Sequence, residues 1–263
     1  MNDLLPYTDN IIALAVSLVR VAGAFLIVPA FSPETIPALV RNSIFVALGL
    51  VAAVLDPGLA TLAPSAGMWI ALFAKEALIG IAIGLFFSAI LWAFEAAGQI
   101  IDTKVGLGMA SIVDPLSGHQ SSVTGQFLAR LANFLFMAAG GFMLLVGTLM
   151  ESYAIWPIGV LIPDFNTLTL SLFEGELQRL MTVALLVAAP VLTVLLATDL
   201  ALGLVNRYAQ QLNVFSLSMS LKGMLATLVL IIMLGTLVDV LLDDIAAQSD
   251  RAKAVIEAMT GAR

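Results

Sequence analysis

Six long apolar stretches, at residues 11–31, 44–55, 68–94, 127–150, 180–205 and 223–242, divide the chain, and most approach or exceed twenty residues. A helix crossing a ~30 Å hydrocarbon core needs about 20 apolar residues, so these runs are of membrane-spanning length. Inside lipid the backbone must satisfy its own hydrogen bonds, which leaves helices or closed barrels. The alternating ~10-residue segments of a barrel are absent. The expected fold is therefore all-α: a polytopic membrane protein of about six hydrophobic helical segments. Composition agrees, since 61% of residues are hydrophobic against about 45–50% in soluble domains. The opening "MNDLLPYTDN" lacks the basic n-region of a cleaved signal peptide, so the first segment is expected to be retained.

Several features fit a simple six-helix bundle poorly. Twelve residues at 44–55 rise only about 18 Å as a helix, and Asp56-Pro57 then breaks the run. Arg20, Lys75, Glu76 and Arg130 lie inside or at the edge of apolar runs, and Asp199 follows Pro190 within the fifth. A charge at mid-membrane costs about 2.5–3.5 kcal/mol on insertion scales unless protein or water surrounds it. With the polar stripe that precedes residue 106, these give a set of expected buried charges: Arg20, Glu76, Glu95, Asp102, Lys104, Arg130 and Asp199. Lysine and arginine divide evenly between alternate connections, so the positive-inside rule assigns no orientation. Either the tally is noisy, or these helices pack against other subunits and not lipid.

Catalytic signatures are missing. There is no HExxH, GxSxG or Walker motif, and no cysteine to serve as nucleophile, thiolate ligand or disulfide. No enzyme activity, cofactor or metal is expected. A net charge of −7 argues against a nucleic-acid partner, and no Lys/Arg cluster offers a phosphate-binding patch. Gly80 and Gly84 form a GxxxG pair, which suits close helix packing within the chain or between subunits.

Two polar blocks interrupt the apolar pattern. "GLGMASIVDPLSGHQSS", residues 106–122, carries Gly106, Gly108, Met109, Ile112, Asp114, Pro115, Gly118 and the single histidine, His119. Proline biases Asp114 away from helix and the glycines permit sharp turns. It is either a plain extramembrane loop or one that lines or plugs a pore, since irregular backbone at membrane depth survives only in protein or beside water. The second block, at 200–223, holds Asn206, Arg207, Gln211, Asn213, Phe215 and Lys222, groups suited to a polar hairpin turn, a subunit interface, or both.

Together these blocks resemble a known family. "AGQIIDTKVGLGMASIVDP" at 97–115, "WPIG" at 156–159 and "DLALGLVNRYAQQLNVFSLSMSLK" at 199–222 are similar to the T subunit of the bacterial type III secretion export apparatus (SctT) and its flagellar counterpart FliR. Arg20 and Pro29 in "RVAGAFLIVPAF" and the Glu76, Gly80, Gly84 spacing match the same family's opening helices. Gln210-Gln211 and "SMSLK" depart from its commoner wording, and "QLNVFSLSMSLK" sits nearer the injectisome branch.

The resemblance implies one export-apparatus membrane domain over residues 1–263. A four-helix part at 1–179 would carry a plug loop at 106–122, followed by a helical hairpin at 180–242 and a short polar tail at 243–263. It implies a subunit of the export gate in the bacterial inner membrane, through which unfolded proteins pass, with 106–122 closing the conduit. Implied partners are the R and S subunits (FliP- and FliQ-like), the switch subunit U (FlhB-like) and the large subunit V (FlhA-like). Read from residues alone, an alternative remains: a stand-alone secondary transporter in which Arg20, Glu76, Arg130 and Asp199 bind substrate or protons.

Overall fold

The computed structural model describes residues 5–55, 66–106, 122–160, 167–208 and 214–260, and these form helices and turns without strands. Seven α-helices are present among them: α1 (Leu5–Ile27), α2 (Ala38–Leu55), α3 (Ala66–Val105), α4 (Val123–Ala138), α5 (Gly141–Ile155), α6 (Thr167–Tyr208) and α7 (Val214–Thr260). The polytopic all-α expectation holds.

Local chemistry sets most boundaries. α1 stops before Pro29, because proline pushes the preceding residue out of the helical region, and Val28 is extended at ψ 117°. A 3-10 turn, Pro29–Phe31, follows. The Pro37 carbonyl accepts from the Arg41 N–H at 3.1 Å, so α2 begins six residues ahead of its apolar run. The stretch that looked too short is thus 18 residues, about 27 Å. α3 ends where Gly106, at φ +102°, donates its N–H to the Asp102 carbonyl at 3.1 Å. That left-handed glycine is a standard helix stop.

The fourth apolar stretch is two helices, not one. Gly140 sits at φ +82°, and α4 and α5 meet there at 66°. Pro190 lies within α6, which continues as helix on both sides of it. The polar tail from residue 243 prolongs α7 as helix to Thr260.

α3, α6 and α7, of 40, 42 and 47 residues, are long and apolar enough to cross a membrane, and the bent pair α4–α5 also passes as one span. At 1.5 Å per residue the three run about 60–70 Å, twice a hydrocarbon core. The most apolar window of α3 is 72% buried within the chain, whereas those of α6 and α7 are 28% and 22% buried. α3 is a core helix, while α6 and α7 present apolar surface outward.

The chain divides into two compact units. The first comprises Met1–Ala89, Phe136–Leu177 and Asp244–Arg263. In it α1 crosses α3 at close range. A Cβ on Gly80 would strike the Arg20 carbonyl, one on Gly84 would meet Ala24, and Ser88 Oγ donates to the Ile27 carbonyl at 3.1 Å. The GxxxG pair therefore serves packing inside the chain. Phe25, Phe31, Phe45 and Phe142 cluster beside this crossing, with the Phe25 and Phe31 rings edge-to-face at 4.6 Å. Each fully buried aromatic of this kind contributes about 1.5–3 kcal/mol.

The end of α7 completes that unit. Gln248, Ala252, Val255 and Ile256 are buried, Thr148 and Ser249 share a hydrogen bond at 3.0 Å, and Arg251 pairs with Asp244 and Glu176. Lys253 reaches Glu151 at 2.7 Å. The second unit comprises Ile90–Leu135 and Gln178–Asp243. Its α4 turns Gly125, Leu128 and Ala132 inward at helical spacing.

Candidate functional site

A charged strut lies at the heart of the first unit. Arg20 on α1 and Glu76 on α3 are both fully buried and joined by two bonds, Nε to Oε2 at 2.6 Å and Nη2 to Oε1 at 3.0 Å. This two-pronged geometry is the strongest form of carboxylate–guanidinium contact. Arg20 also donates to Ser152 Oγ at 3.0 Å and to the Trp156 carbonyl at 2.9 Å, and its guanidinium lies 4.1 Å from the Tyr153 ring centre.

Lys75 adds a second cation. Its Nζ is 2.7 Å from Glu76 Oε1 and 3.1, 2.8 and 3.2 Å from the carbonyls of Pro157, Ile158 and Val160. Those carbonyls point to Lys75 because the chain leaves helix at Trp156-Pro157 and turns, with the Val160 N–H donating to the Pro157 carbonyl at 3.2 Å. Trp156 Nε1 donates to the Val160 carbonyl at 2.8 Å, closing the "WPIG" turn. Tyr153 donates to the Ser17 carbonyl at 2.6 Å, and Ser17 in turn to Gly49 at 3.2 Å, so α1, α2, α3 and α5 meet in one network.

In the second unit, Asp102 performs a different task. It is 5% exposed, and its carboxylate accepts from Ser122 Oγ at 2.7 Å, from the Thr124 N–H at 2.9 Å and from the Thr124 hydroxyl. Ser122 Oγ accepts from the Gly125 N–H at 2.8 Å, the bonding of an N-cap residue to the third helical position. Below these bonds α3 and α4 touch backbone to backbone at Gly98 and Gly125. Both flanks of segment 107–121 are thereby held together. Nearby, Asp199 on α6 pairs with Lys104 on α3 at 3.0 Å and with Lys222 on α7.

Among the described residues no group of three or more histidine or acidic side chains could hold a metal ion. What the geometry provides is a set of struts and a frame.

Comparison with known proteins decides the family. Residues 11–247 match the family described as "Bacterial export proteins, family 1". The chain belongs to it. Relatives include Yop proteins translocation protein T of Yersinia pestis, 31% identical over 216 residues, covering 82% of this chain and 83% of the relative. Surface presentation of antigens protein SpaR of Salmonella typhimurium is 32% identical over 222 residues, covering 83% and 81%. Flagellar biosynthetic protein FliR of Bacillus subtilis is 28% identical over 243 residues, covering 90% of each chain.

Within this bacterial export protein the expected site residues fall into distinct groups. Arg20, Glu76 and Asp102 are buried, and Glu95, Lys104 and Asp199 are partly so. Arg130 is the exception to the expected burial and stands exposed on α4. It lies two residues from Leu128, which turns it about 200° away from the inward face. Asn206 and Arg207 are exposed at the end of α6, and Lys222 is engaged by Asp199. Gly106 forms the stop of α3, whereas Gly108, Met109, Ile112, Asp114, Pro115, Gly118 and His119 lie outside the described residues. So do Gln211 and Asn213, and Phe215 is described in backbone only.

Sequence reasoning passed over Ser17, Ser152, Tyr153, Ser122 and Thr124 as partners. Nothing in a serine or a tyrosine within an apolar run marks it as the ligand of a distant arginine. Ser122 was the legible one, since a serine directly before a helical run signals an N-cap.

Proposed function

We propose that this chain is a subunit of the type III protein export gate in the bacterial inner membrane. It forms part of the conduit for unfolded proteins, and segment 106–122 acts as the plug that closes it. The observation that carries the reading is the family match across 11–247, with relatives named for translocation, secretion and flagellar assembly. The apolar surfaces of α6 and α7, longer than a bilayer is thick, support partners made of similar helices. Those partners are the R and S subunits, with the U and V subunits joining the assembly. The polar groups at 206–222 belong to that interface.

The transporter alternative lacks comparable support. Arg20 and Glu76 bond to each other and to protein oxygens, which is the bonding of a strut. Asp199 is engaged by two lysines.

The test replaces residues 110–120 with a Gly-Ser linker, sparing Ser122 because it caps α4. The purified complex should retain its full set of subunits while cells become permeable to ions and small solutes. An intact complex with a tight membrane would eliminate the plug. Undiminished secretion after deletion of the whole gene would eliminate the export role itself.

A further inference from the structure

We propose that the outward face of α4 docks an apolar helix of another subunit, and that this helix carries a carboxylate opposite Arg130. Val123, Phe127 and Phe134 are 70%, 53% and 68% exposed, and Arg130 stands exposed among them. The four positions follow one another at spacings of 4, 3 and 4, so they form a single stripe along the helix. That spacing is the seam by which one helix packs its side chains into the gaps of a second. The inference rests on the reading above only in taking the chain to assemble with other subunits. It goes beyond the interface assigned to α6, α7 and residues 206–222.

Arg130 decides the chemistry of the occupant. Among the described residues it has no hydrogen bond and no ion pair. α4 itself holds no acidic residue, so no carboxylate one turn away on the same helix can neutralise it. Phe127 lies about 4.5 Å from it along the axis on one side and Phe134 about 6 Å on the other, so the charge is set inside the apolar stripe and not at its end. Lipid tails against this face would leave the guanidinium without anion or water, which is costly at membrane depth. A helix with an aspartate or glutamate at that height supplies the anion in the two-pronged geometry that Glu76 gives Arg20. Aromatic side chains around a central arginine are also the composition of interface cores, where such residues carry most of the binding energy. A second copy docked by the same stripe does not fit. Centring the stripe on itself, parallel or antiparallel, brings two Arg130 side chains within one turn of each other, and like charges repel.

The experiment sets the photoreactive residue benzoylphenylalanine in place of Phe134, in the full chain produced with the complete export complex in its native membrane. Irradiation should give an adduct with one other polypeptide. Fragment mass spectrometry should place the linked residue in an apolar helix, within about one turn of an aspartate or glutamate. Arg130→Leu and Arg130→Glu should each lower the adduct yield about tenfold or more, because truncating one partner of a desolvated charge pair leaves the other unpaired. Arg130→Lys keeps the charge and should retain more of the yield than either. Changing the partner's carboxylate to lysine should restore the adduct to the Arg130→Glu chain.

A face turned to lipid would give no protein adduct, and Arg130→Leu would then assemble at least as well as the parent chain; either result overturns the proposal. So does an adduct between two copies of this chain, or one to a helix with no carboxylate within a turn of the link. Arg130 is exposed, so its replacement leaves the chain's own packing in place and a lost adduct is read as lost docking. Failure of the subunit reading shows separately, as an unsubstituted chain that migrates alone on a blue native gel.

Discussion

Neutralising Glu76 is the sharpest test of the buried strut. Its carboxylate is fully buried and faces Arg20 at 2.6 and 3.0 Å and Lys75 at 2.7 Å. Glu76→Gln keeps the shape, removes the only negative charge among these three groups, and turns an amide N–H₂ toward cationic donors. Two unit charges about 4 Å apart attract by about 4 kcal/mol at an effective dielectric of ~20. Breaking one side of a buried pair typically costs about 3–5 kcal/mol, because the other charge is left uncompensated. A loss of about 3–5 kcal/mol is therefore expected. The assay is reversible unfolding of the full chain in mixed micelles with rising SDS, followed by circular dichroism. Arg20→Met should cost a similar amount, and the double variant should fall short of the summed losses by about 2 kcal/mol, as directly bonded pairs do. A Glu76→Gln cost below about 1 kcal/mol, with strict additivity in the double variant, would refute the strut.

Four further outcomes follow from the same structure. Gly80→Val should destabilise by about 1–3 kcal/mol, because its side chain meets the Arg20 backbone, whereas Gly147→Ala, in open space, should be neutral or stabilise by up to about 1 kcal/mol; SDS titration compares them. Gln248→Met should leave the midpoint unchanged or higher, since Oε1 is buried without a partner and the Nε2 contact to the Phe87 carbonyl is long at 3.4 Å. Trp156→Phe keeps the packed ring and loses the bond to Val160, which should cost about 1 kcal/mol in the same titration. Asp199→Asn breaks partly exposed pairs worth about 1 kcal/mol or less, so secretion should stay near wild type; a collapse of secretion would argue for a transport role at Asp199.

What the sequence determined by itself was the helices, because their causes are local. Apolar length in a bilayer dictates helix, Pro29 and Gly106 end helices through their own backbone, and the "WPIG" stretch lies where α5 stops. Even the break at Gly140, at φ +82°, leaves a trace in the sequence, the adjacent glycines Gly140 and Gly141. Pro190, which removes one backbone hydrogen bond, lies inside α6 without ending it.

What only the tertiary structure decided was which residues meet. Arg20 and Glu76 were both legible as intramembrane charges, yet 56 positions separate them, and no local pattern says that they answer each other and not a solute. The same holds for Asp102 and Thr124, which a polar stripe and a cap motif place on separate elements until the Gly98–Gly125 contact brings the helices together. Helix formation satisfies the backbone within the segment, so it is written residue by residue. The pairing of helices satisfies side chains across the chain, so it exists only once the fold does.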